Sequence, residues 1–407
     1  MEPGRFRKKL VLGGLRIEKR VIMNNQQSLR IGIGLLGYSG VGKAHINALK
    51  KVGYIFWPAP TDISLVSLAG RDEARVQEAR HRYGFSKTVT DWRQLVNDDE
   101  VDLLINCTPN QLHAEPCVTA VRNDKHVLCE KPLARNAIEA ETMFEEALKA
   151  GVKHMVSFNY RFIPAVLLAR ELISNGELGT LYHFRARYCD DSLLNPNALF
   201  SWRQDVRLAG SGAVGDLGAH IIDLARFLVG EPTCVTARTR TFIHERPGAA
   251  EHTEQHRVSV DDAFEAVFEF HNGAFGTLEA STFCAGRKNF LYFEVNGSKG
   301  TLEFNLERLN ELRVYIRKET ASVIDGIRDV LVTDTSHPYG GRWWPPGHIL
   351  GWEHTFVHQL HHMLQAIAYD EEIGPLGATF EDGYRNAIIC DALLKSAETG
   401  QAITIAY

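Results

Sequence analysis

Between Leu29 and Phe158 the sequence alternates short apolar runs with amphipathic segments, and this alternation constrains the fold more than any other feature. The runs RIGIGLLG (30–37), ISLVSLAG (63–70), VDLLINC (101–107), HVLCE (126–130) and VKHMVSF (152–158) each predict a strand. The segments between them have helical periodicity, and Asp72 and Gly84 cap one of them. Strands that alternate with helices predict an α/β fold with a doubly wound parallel sheet, whose ligand crevice lies at the carboxyl ends of the strands.

Beyond about residue 160 the pattern changes. After two helical segments come several strand-like runs without helices between them, and Asn272-Gly273 is a strong hairpin signal between two of these runs. This predicts a second, largely antiparallel sheet, followed by helices at 352–369 and 380–398. The change of pattern divides the chain into two parts, 29–158 and 159–407, and the last helices could pack back on the first part.

Composition narrows the functional classes. The chain has 407 residues and a net charge of −5, which argues against a general nucleic-acid partner, and no apolar run approaches the roughly 20 residues that span a membrane. Residues 1–28 are basic, and we expect a mobile extension, with Met23 as an alternative start. Seven cysteines without a CxxC motif predict a reducing, cytoplasmic compartment.

The first strand ends in GYSGVGKAH (37–45), where a dinucleotide fingerprint G-x-G-x-x-G would have serine as its middle residue. A turn of this kind lets the amino end of the next helix meet a pyrophosphate, although a plain glycine-rich turn is the alternative. The predicted cofactor-binding residues here are Gly37, Ser39, Gly40, Val41 and Gly42.

Cofactor choice is expected at the end of the second strand, which has the sequence AGRD (69–72). An acid there would bind the 2′-hydroxyl of NAD, and an arginine could hold the 2′-phosphate of NADP. Gly70 occupies the expected acidic position and Arg71 follows, which leans toward NADP or dual use, while Asp72 is better suited to capping a helix. We therefore predict NAD or NADP, with Arg71 in the cofactor site.

Three further motifs, INCTPNQLH (105–113), VLCEKPLA (127–134) and GSGAVGDLGAH (210–220), follow in this order. Together with the glycine-rich turn they make the chain resemble the Gfo/Idh/MocA oxidoreductases over roughly residues 29–400. The resemblance implies a dinucleotide-binding Rossmann domain over 29–158 and a substrate-binding and oligomerisation domain over 159–407. The second is implied to be an α/β domain whose open sheet forms a homo-dimer or homo-tetramer. The implied reaction is hydride transfer between NAD(P) and a sugar or polyol. The chain departs from the family pattern at Ser39 and Gly70.

Matching positions assign roles by resemblance. Lys131 of EKP is implied to be catalytic, with Asp216 and His220 completing the site. The cofactor is implied to contact the segment around the TPN turn, the residue before the lysine, and a Trp-Arg pair, that is, Thr108, Pro109, Asn110, His113, Glu130, Lys131, Trp202 and Arg203.

The residue chemistry leaves two proton routes open. His220 suits a general base near neutrality, and Asp216, four residues earlier on a predicted helix, could orient it or accept a substrate hydroxyl. Gly218 would reduce crowding beside the ligand. Lys131 could stabilise a developing alkoxide or, if desolvated, act as the base itself; apart from the resemblance it could also pair with Glu130 on a surface loop.

Substrate contacts are predicted at Lys131, Asp216 and His220 and at four further residues: Asn159, Arg161, Tyr188 and His348. Arg161 could equally form an interdomain salt bridge. His348 lies in an aromatic, histidine-rich stretch, RWWPPGHILGWEHTFVHQLHHM (342–363). HTFVH lacks the acid of a HExxH motif, so we predict no metal site.

These observations predict an NAD(P)-dependent dehydrogenase acting on a cyclic polyol or sugar, such as inositol, a monosaccharide or an anhydrosugar such as levoglucosan. The anhydrosugar is included because the WWPPGH loop would suit a compact ring. Two alternatives remain at this stage. One is a glycosidase that uses bound NAD for transient oxidation, and the other is a non-catalytic regulatory protein that binds the dinucleotide.

Overall fold

The structure is a computed structural model that describes residues 29–248, 254–317 and 323–407. The predictions of a mobile extension over 1–28 and of an alternative start at Met23 lie outside the described residues.

The first half of the described chain contains a six-stranded, wholly parallel sheet in the order β3-β2-β1-β4-β5-β6. This is the doubly wound arrangement in which the order of the strands reverses between β1 and β4, and the prediction of a Rossmann fold is confirmed. The strands are β1 (Arg30–Leu36), β2 (Asp62–Ala69), β3 (Lys87–Val89), β4 (Leu103–Asn106), β5 (His126–Cys129) and β6 (His154–Val156).

Five helices connect these strands, and local sequence signals account for several of their ends. Asp72 accepts a hydrogen bond from the Arg75 amide at the start of α2, and Gly84 ends that helix with a φ of 84°. Gly151 ends α5 in the same left-handed conformation. The helices are α1 (Val41–Ile55), α2 (Glu73–Tyr83), α3 (Trp92–Val96), α4 (Ala114–Arg122) and α5 (Ala137–Ala150).

The second half of the chain forms a nine-stranded sheet whose strands are all antiparallel to their neighbours except for the parallel pair β7 and β12. The Asn272-Gly273 turn joins β11 to β12, and Gly273 has a φ of 83°, which confirms the predicted hairpin. The strands of this half are β7 (Leu181–Cys189), β8 (Pro232–Arg240), β9 (Glu245–Pro247), β10 (Gln255–Arg257), β11 (Ala263–Phe270), β12 (Phe275–Ser281), β13 (Phe290–Gly297), β14 (Gly300–Asn305), β15 (Glu311–Ile316), β16 (Arg328–Leu331) and β17 (Ile403–Thr404), of which β9 and β10 form a separate two-stranded ribbon.

Helices cover one face of the nine-stranded sheet. Alternate side chains of the central strands, such as Phe184, Phe264 and Leu278, are buried against them, and the intervening side chains point to the opposite face. The helices of this half are α6 (Pro164–Ser174), α7 (Val206–Ala209), α8 (Ala219–Leu228), α9 (His354–Tyr369) and α10 (Phe380–Thr399).

The last two helices contact the half of the chain that forms the parallel sheet. Phe356 and Leu360 of α9 are buried in the same core as Ile33 of β1 and Leu49 of α1. Helix α10 begins at Phe380, in a core shared with β5 and β6, and then crosses to the core of the nine-stranded sheet. No helix within the described residues is both long enough and apolar enough to cross a membrane.

Candidate active site

A cavity of about 690 Å³ lies where the carboxyl ends of β1, β4 and β5 meet the second half of the chain. Parallel sheets bind ligands at this edge, so the cavity is where the alternating pattern predicted the crevice. Its walls are formed by Ser39, Gly40, Val41, Cys107, Thr108, Pro109, Asn110, Glu130, Lys131, Pro132, Asn159, Tyr160, Tyr188, Ser192, Leu193, Leu199, Ser201, Trp202, Arg203, Gln204, Ala209, Ser211, Gly212, Ala213, Asp216, His220, Val260, Asp261, Thr282, Asn289, Trp352 and Phe356.

The glycine-rich turn after β1 has the close packing that a dinucleotide cradle requires. Gly37 has a φ of 87°, and a Cβ on Gly42 would lie 2.3 Å from the Gly37 carbonyl oxygen. No side chain caps the amino end of α1, and its first turn contains no acid. Backbone amides at this helix start can therefore face an anion, and Ser39, in place of the middle glycine, is exposed at the cavity wall. These residues fit the pyrophosphate of a nicotinamide dinucleotide.

The end of β2 explains why Gly70 stands where an acid was expected. A Cβ at this position would lie only 2.3 Å from Cε1 of Tyr38, so the Tyr38 ring occupies the space that a side chain would need. Arg71 is exposed and does not line the cavity, whereas Asp72 is the cap of α2, as the sequence indicated. A cofactor role for Arg71 stays a prediction.

Side-chain hydrogen bonds to residues outside the turn hold the TPN turn in place. The Thr108 hydroxyl donates to Oδ1 of Asn106 at 2.7 Å, and Nδ2 of Asn110 donates to the Ala209 carbonyl at 2.8 Å. His113, predicted to bind cofactor, is fully buried and does not line the cavity, and its cofactor role stays a prediction. Its Nδ1 and Nε2 lie 2.9 Å from the carbonyl oxygens of Pro132 and Thr108, which ties the TPN turn to the EKP segment.

Lys131 reaches across from the first sheet to the second half of the chain. Its Nζ donates to the backbone oxygen and to Oδ1 of Asp216, both at 2.8 Å. Nε of Arg203 lies 3.9 Å from the other carboxylate oxygen. Burial raises the pKa of Asp216, but the charges of Lys131 and Arg203 outweigh it and hold that pKa at about 2. Asp216 is therefore a carboxylate at neutral pH, paired with two cations at the cavity wall.

His220 is 5% exposed and lines the same cavity. Burial, with the Lys131 charge added, lowers its pKa well below 6.5, although Asp216 opposes the shift. The imidazole is thus neutral at pH 7 and able to accept a proton. Its Nδ1 is buried without a hydrogen-bond partner among the described residues.

The predicted single helix that would carry Asp216 and His220 is two segments. A π-helical turn over Val214–Gly218 precedes α8, and the two side chains share no direct hydrogen bond, so Asp216 does not orient His220 through a contact of its own. The idea that Gly218 reduces crowding beside a ligand was also wrong. A Cβ there would lie 2.6 Å from Cε1 of Phe264, so this glycine makes room for a core ring.

Glu130 borders the cavity but is only 6% exposed. Its Oε1 lies 2.7 Å from Nε2 of His45 on α1, and its Oε2 accepts from the Lys131 amide at 3.2 Å. Burial raises the pKa of Glu130, but the hydrogen bond and charge of His45 outweigh it, and the pKa falls below its ordinary value. Glu130 therefore anchors the start of the EKP segment on the helix that follows the glycine-rich turn, and it forms no surface pair with Lys131.

A chain of three hydrogen-bonded side chains lies beside His220, and the sequence analysis identified only one of them. The ring of Tyr160 packs on the His220 ring with centroids 4.4 Å apart, and its hydroxyl is 2.9 Å from that of Tyr188. The Tyr188 hydroxyl donates to Oδ1 of Asn289 at 2.6 Å. Of these, only Tyr188 was predicted. Tyr160 stands between two predicted residues in FNYRFIP, whereas Asn289, just before β13, has no motif around it.

Arg161 forms a buried salt bridge and does not line the cavity. It is 2% exposed, and its Nε and Nη2 donate to the two carboxylate oxygens of Asp223 at 2.8 and 2.6 Å. Asp382 at the start of α10 lies 3.3 Å away. Asp223 and Asp382 both belong to the same half of the chain as Arg161, so this is not the interdomain salt bridge considered from the sequence, and a substrate role for Arg161 stays a prediction. Asn159 lines the cavity and donates from Nδ2 to the Thr355 hydroxyl at 2.8 Å.

His348 does not line the cavity either. It is exposed, and its Nδ1 lies 3.0 Å from the Pro345 carbonyl oxygen. The aromatic stretch contributes Trp352 and Phe356 to the cavity instead. The histidines of α9 pack among aromatic rings: His358 accepts from Nε1 of Trp343 at 2.7 Å, and His361 stacks on Phe56. Within the described residues, no group of three or more His, Cys, Asp or Glu could hold a metal ion.

A Rossmann sheet, a dinucleotide-fitting turn and a Lys-Asp pair beside a neutral histidine define the class of nicotinamide-dependent oxidoreductases. The family model for oxidoreductases with an NAD-binding Rossmann fold matches residues 31–158, and the model for the GFO/IDH/MocA C-terminal domain matches residues 166–303. The chain belongs to the Gfo/Idh/MocA family. The family and the class predicted from the sequence are both confirmed.

Two curated proteins illustrate the relatives. The chain is 39% identical to levoglucosan dehydrogenase of Pseudarthrobacter phenanthrenivorans over 379 residues, which cover 90% of this chain and 96% of that protein. It is 30% identical to myo-inositol 2-dehydrogenase of Thermotoga maritima, over 66% of this chain and 74% of that protein.

Solved structures agree with this. A levoglucosan dehydrogenase in complex with NADH and levoglucosan has a TM-score of 0.89 and 38% identity, covering 93% of this chain and 99% of that one. An oxidoreductase domain protein from Kribbella flavida has the same TM-score at 42% identity, covering 93% of this chain and 100% of that one.

Proposed function

We propose that this protein is an NAD(P)-dependent dehydrogenase that oxidises a hydroxyl group of a cyclic sugar, with an anhydrosugar such as levoglucosan as its leading substrate. The observation that carries the proposal is the contact of Lys131 with Asp216 beside the neutral His220, in the cavity that the glycine-rich and TPN turns enter. The 39% identity to levoglucosan dehydrogenase supports the anhydrosugar over inositol, for which the related enzyme is 30% identical.

In the proposed reaction Lys131 donates a hydrogen bond to the substrate oxygen and stabilises its developing negative charge. His220 takes the hydroxyl proton, because its imidazole is neutral and lines the cavity. Asp216 holds the Lys131 ammonium within hydrogen-bonding distance of the place that the substrate oxygen would occupy. When bound, the nicotinamide ring supplies the hydride acceptor. One cavity contains the three residues with catalytic roles, Lys131, Asp216 and His220. It also contains Asn159 and Tyr188, which supports their proposed contacts with the substrate.

The cofactor is NAD or NADP. NADH-bound relatives favour NAD, and the missing acid at Gly70 with Arg71 beside it favours acceptance of NADP. An Arg71→Ala variant separates the two: if Arg71 meets the 2′-phosphate, the KM for NADP rises about tenfold and the KM for NAD stays the same. Arg82→Ala, at the far exposed end of α2, is the control. Equal KM changes for both cofactors would remove Arg71 from the cofactor site.

We also infer a homo-dimer or homo-tetramer formed through the second face of the nine-stranded sheet, on which alternate side chains of the central strands are exposed within the described residues. Arg238, Glu265, Glu279 and Arg187 follow one another on adjacent strands across this face, and Val267 and Phe275 are exposed beside them. A mixed row of charges around apolar side chains can complement itself about a two-fold axis. Light scattering of a Val267→Arg variant, expected to yield monomers, tests this inference.

We further infer a reducing, cytoplasmic location, which the seven free cysteines support.

The function is tested by following NADH or NADPH at 340 nm with levoglucosan, myo-inositol and glucose as substrates. Steady cofactor reduction with levoglucosan supports a dehydrogenase. Sugar cleavage products without accumulation of reduced cofactor would replace it with the glycosidase, and binding of cofactor without turnover of any substrate would leave a regulatory protein.

A further inference from the structure

Asp261, which lies just before β11, holds the segment that leads to Asp216. Its Oδ1 accepts a hydrogen bond from the Gly212 amide and its Oδ2 accepts one from the Val214 amide, both at 2.8 Å. Its backbone oxygen accepts from the Ala213 amide at 3.0 Å. The first amides of a helical segment have no acceptor within that segment. Asp261 therefore supplies acceptors for three consecutive amides at the start of the π-helical turn.

The nine-stranded sheet fixes the position of Asp261 itself. The next residue, Asp262, donates its amide to the Arg240 carbonyl oxygen at 2.7 Å, and its carbonyl oxygen accepts from the Thr282 amide at 3.1 Å. A Cβ on Gly212 would lie 1.8 Å from the Asp261 carbonyl oxygen, so the two backbones are in contact. The segment that begins at Gly212 therefore has little room to shift relative to the sheet.

Asp216 connects this segment to Lys131. Its amide donates to the Gly212 carbonyl oxygen at 2.9 Å, which ties Asp216 to the first residue that Asp261 holds. Its own backbone oxygen and Oδ1 accept from Nζ of Lys131, both at 2.8 Å. A continuous path of hydrogen bonds therefore runs from the sheet through Asp261 and Asp216 to the Lys131 ammonium.

We propose that Asp261 is a positioning residue for hydride transfer, because it sets the place at which Asp216 holds the Lys131 ammonium against the reacting hydroxyl. Asp261 lines the cavity that contains Lys131, Asp216 and His220, and it is 7% exposed. A displacement of about 1 Å at a catalytic group can lower a rate by about a hundredfold, so a residue that fixes this place affects the rate without touching the substrate. This inference rests on the proposed function and names a further residue on which it depends.

The test is a double-mutant cycle between Asp261→Asn and Lys131→Met. Asparagine keeps one acceptor oxygen but directs an NH2 group at the other backbone amide, which should displace Gly212 or Val214. We expect kcat for sugar oxidation, per NADH-binding site, to fall about tenfold while KM for the sugar stays within about twofold of wild type. In the Lys131→Met background the same change should lower kcat less than about twofold, because the group that Asp261 positions is gone.

Asp262→Asn is the matched control. Asp262 is 1% exposed, and its Oδ2 accepts from the Phe242 and Ile243 amides at 2.6 and 3.2 Å, in a loop that does not line the cavity. Its kcat per NADH-binding site should match that of the parent in both backgrounds. Counting NADH sites by fluorescence titration removes any loss of folded protein from the comparison. If Asp261→Asn binds no NADH, Gly212→Ala, whose methyl group would push the segment away from Asp261, takes its place in the cycle.

The outcomes separate this inference from the function itself. If the wild type oxidises a sugar and the Asp261 change lowers kcat equally in both backgrounds, or in neither, the function stands and the positioning role is overturned. Loss of NADH sites with unchanged kcat per remaining site would make Asp261 a structural residue only, and an equal fall in Asp262→Asn would overturn the role as well. If the wild type binds NADH and oxidises no sugar or polyol, the proposed function fails, and this inference with it.

Discussion

Nζ of Lys131 lies 2.8 Å from Oδ1 of Asp216, and this contact joins the carboxyl end of β5 to the turn that precedes α8. The two residues are 85 positions apart in the chain. Lys131 belongs to the half that contains the six-stranded sheet, and Asp216 belongs to the half that contains the nine-stranded sheet. The pair therefore fixes the position of the ammonium group relative to His220, which lies one turn further along.

Replacing Lys131 with methionine removes both the hydrogen-bond donor and the charge while keeping most of the side-chain volume. We expect kcat for sugar oxidation to fall by about two to three orders of magnitude, because loss of one donor to a developing oxyanion has this effect in other enzymes. NADH binding should persist. Lys149→Met, on the exposed surface of α5, is the matched control and should behave as wild type. Unchanged kcat in Lys131→Met would contradict the assigned role.

The fall of kcat/KM at low pH identifies the residue that acts as the general base. If neutral His220 accepts the substrate proton, kcat/KM falls as the pH drops through its pKa, which burial and Lys131 hold well below 6.5. We therefore expect full activity at pH 6.5 and loss only at lower pH. A His220→Gln variant should lose this limb together with most of the rate. An acid limb at or above pH 6.5 that survives in His220→Gln would point to Lys131 as the base.

Arg161 should matter for stability and not for substrate binding. Its replacement by methionine leaves Asp223, which is 1% exposed, as a buried carboxylate without this partner. Loss of one partner of a buried pair typically costs about 3–5 kcal/mol, and the urea midpoint should fall accordingly. KM for the sugar should stay within twofold of wild type. Arg93→Met, which breaks an exposed pair with Glu115, should cost at most about 1 kcal/mol.

His358 makes the fold sensitive to acid. Burial lowers its pKa from 6.5 to about 3, and its Nε2 accepts a hydrogen bond from Nε1 of Trp343. Between these pH values the unfolded chain binds a proton that the folded chain does not. The free energy of unfolding therefore declines as the pH falls below 6.5, by up to about 1.4 kcal/mol per pH unit from this residue.

Urea unfolding at pH 7.5 and pH 5.0 measures this effect. The difference between the two midpoints should be smaller in His358→Gln than in wild type, because glutamine does not titrate. His81→Gln, on the exposed face of α2, should keep the wild-type difference. The same pH dependence in all three proteins would show that other groups cause the acid sensitivity.

Features that depend on local sequence were predictable. Asp72 and Gly84 bound α2, and Asn272-Gly273 forms its hairpin, because each uses backbone geometry that only neighbouring residues determine. The alternation of strands and helices predicted the parallel sheet for the same reason. The EKP and GDLGAH motifs placed Lys131 and His220 at one cavity, since both lie at element ends that the fold brings together.

Features that depend on distant contacts were not predictable. Arg161 is charged and next to cavity residues in sequence, yet its side chain points to Asp223. It lies in a 3₁₀ turn over Asn159–Phe162, where successive side chains are rotated by about 120°. Gly218 leaves room for the ring of Phe264, which is 46 positions away in the chain. Asn289 reaches the cavity only because β13 pairs with β7, and no local pattern encodes that pairing.

The packing of α9 on α1 and β1 has a consequence for the order of events during synthesis. The apolar face formed by Ile33 and Leu49 is covered by Phe356 and Leu360, which leave the ribosome some three hundred residues later. Until then this face is open to water and to other nascent chains, and such exposure favours aggregation. The first half of the protein is therefore expected to depend on chaperones during translation, and a fragment that ends before α9 should be recovered as insoluble material.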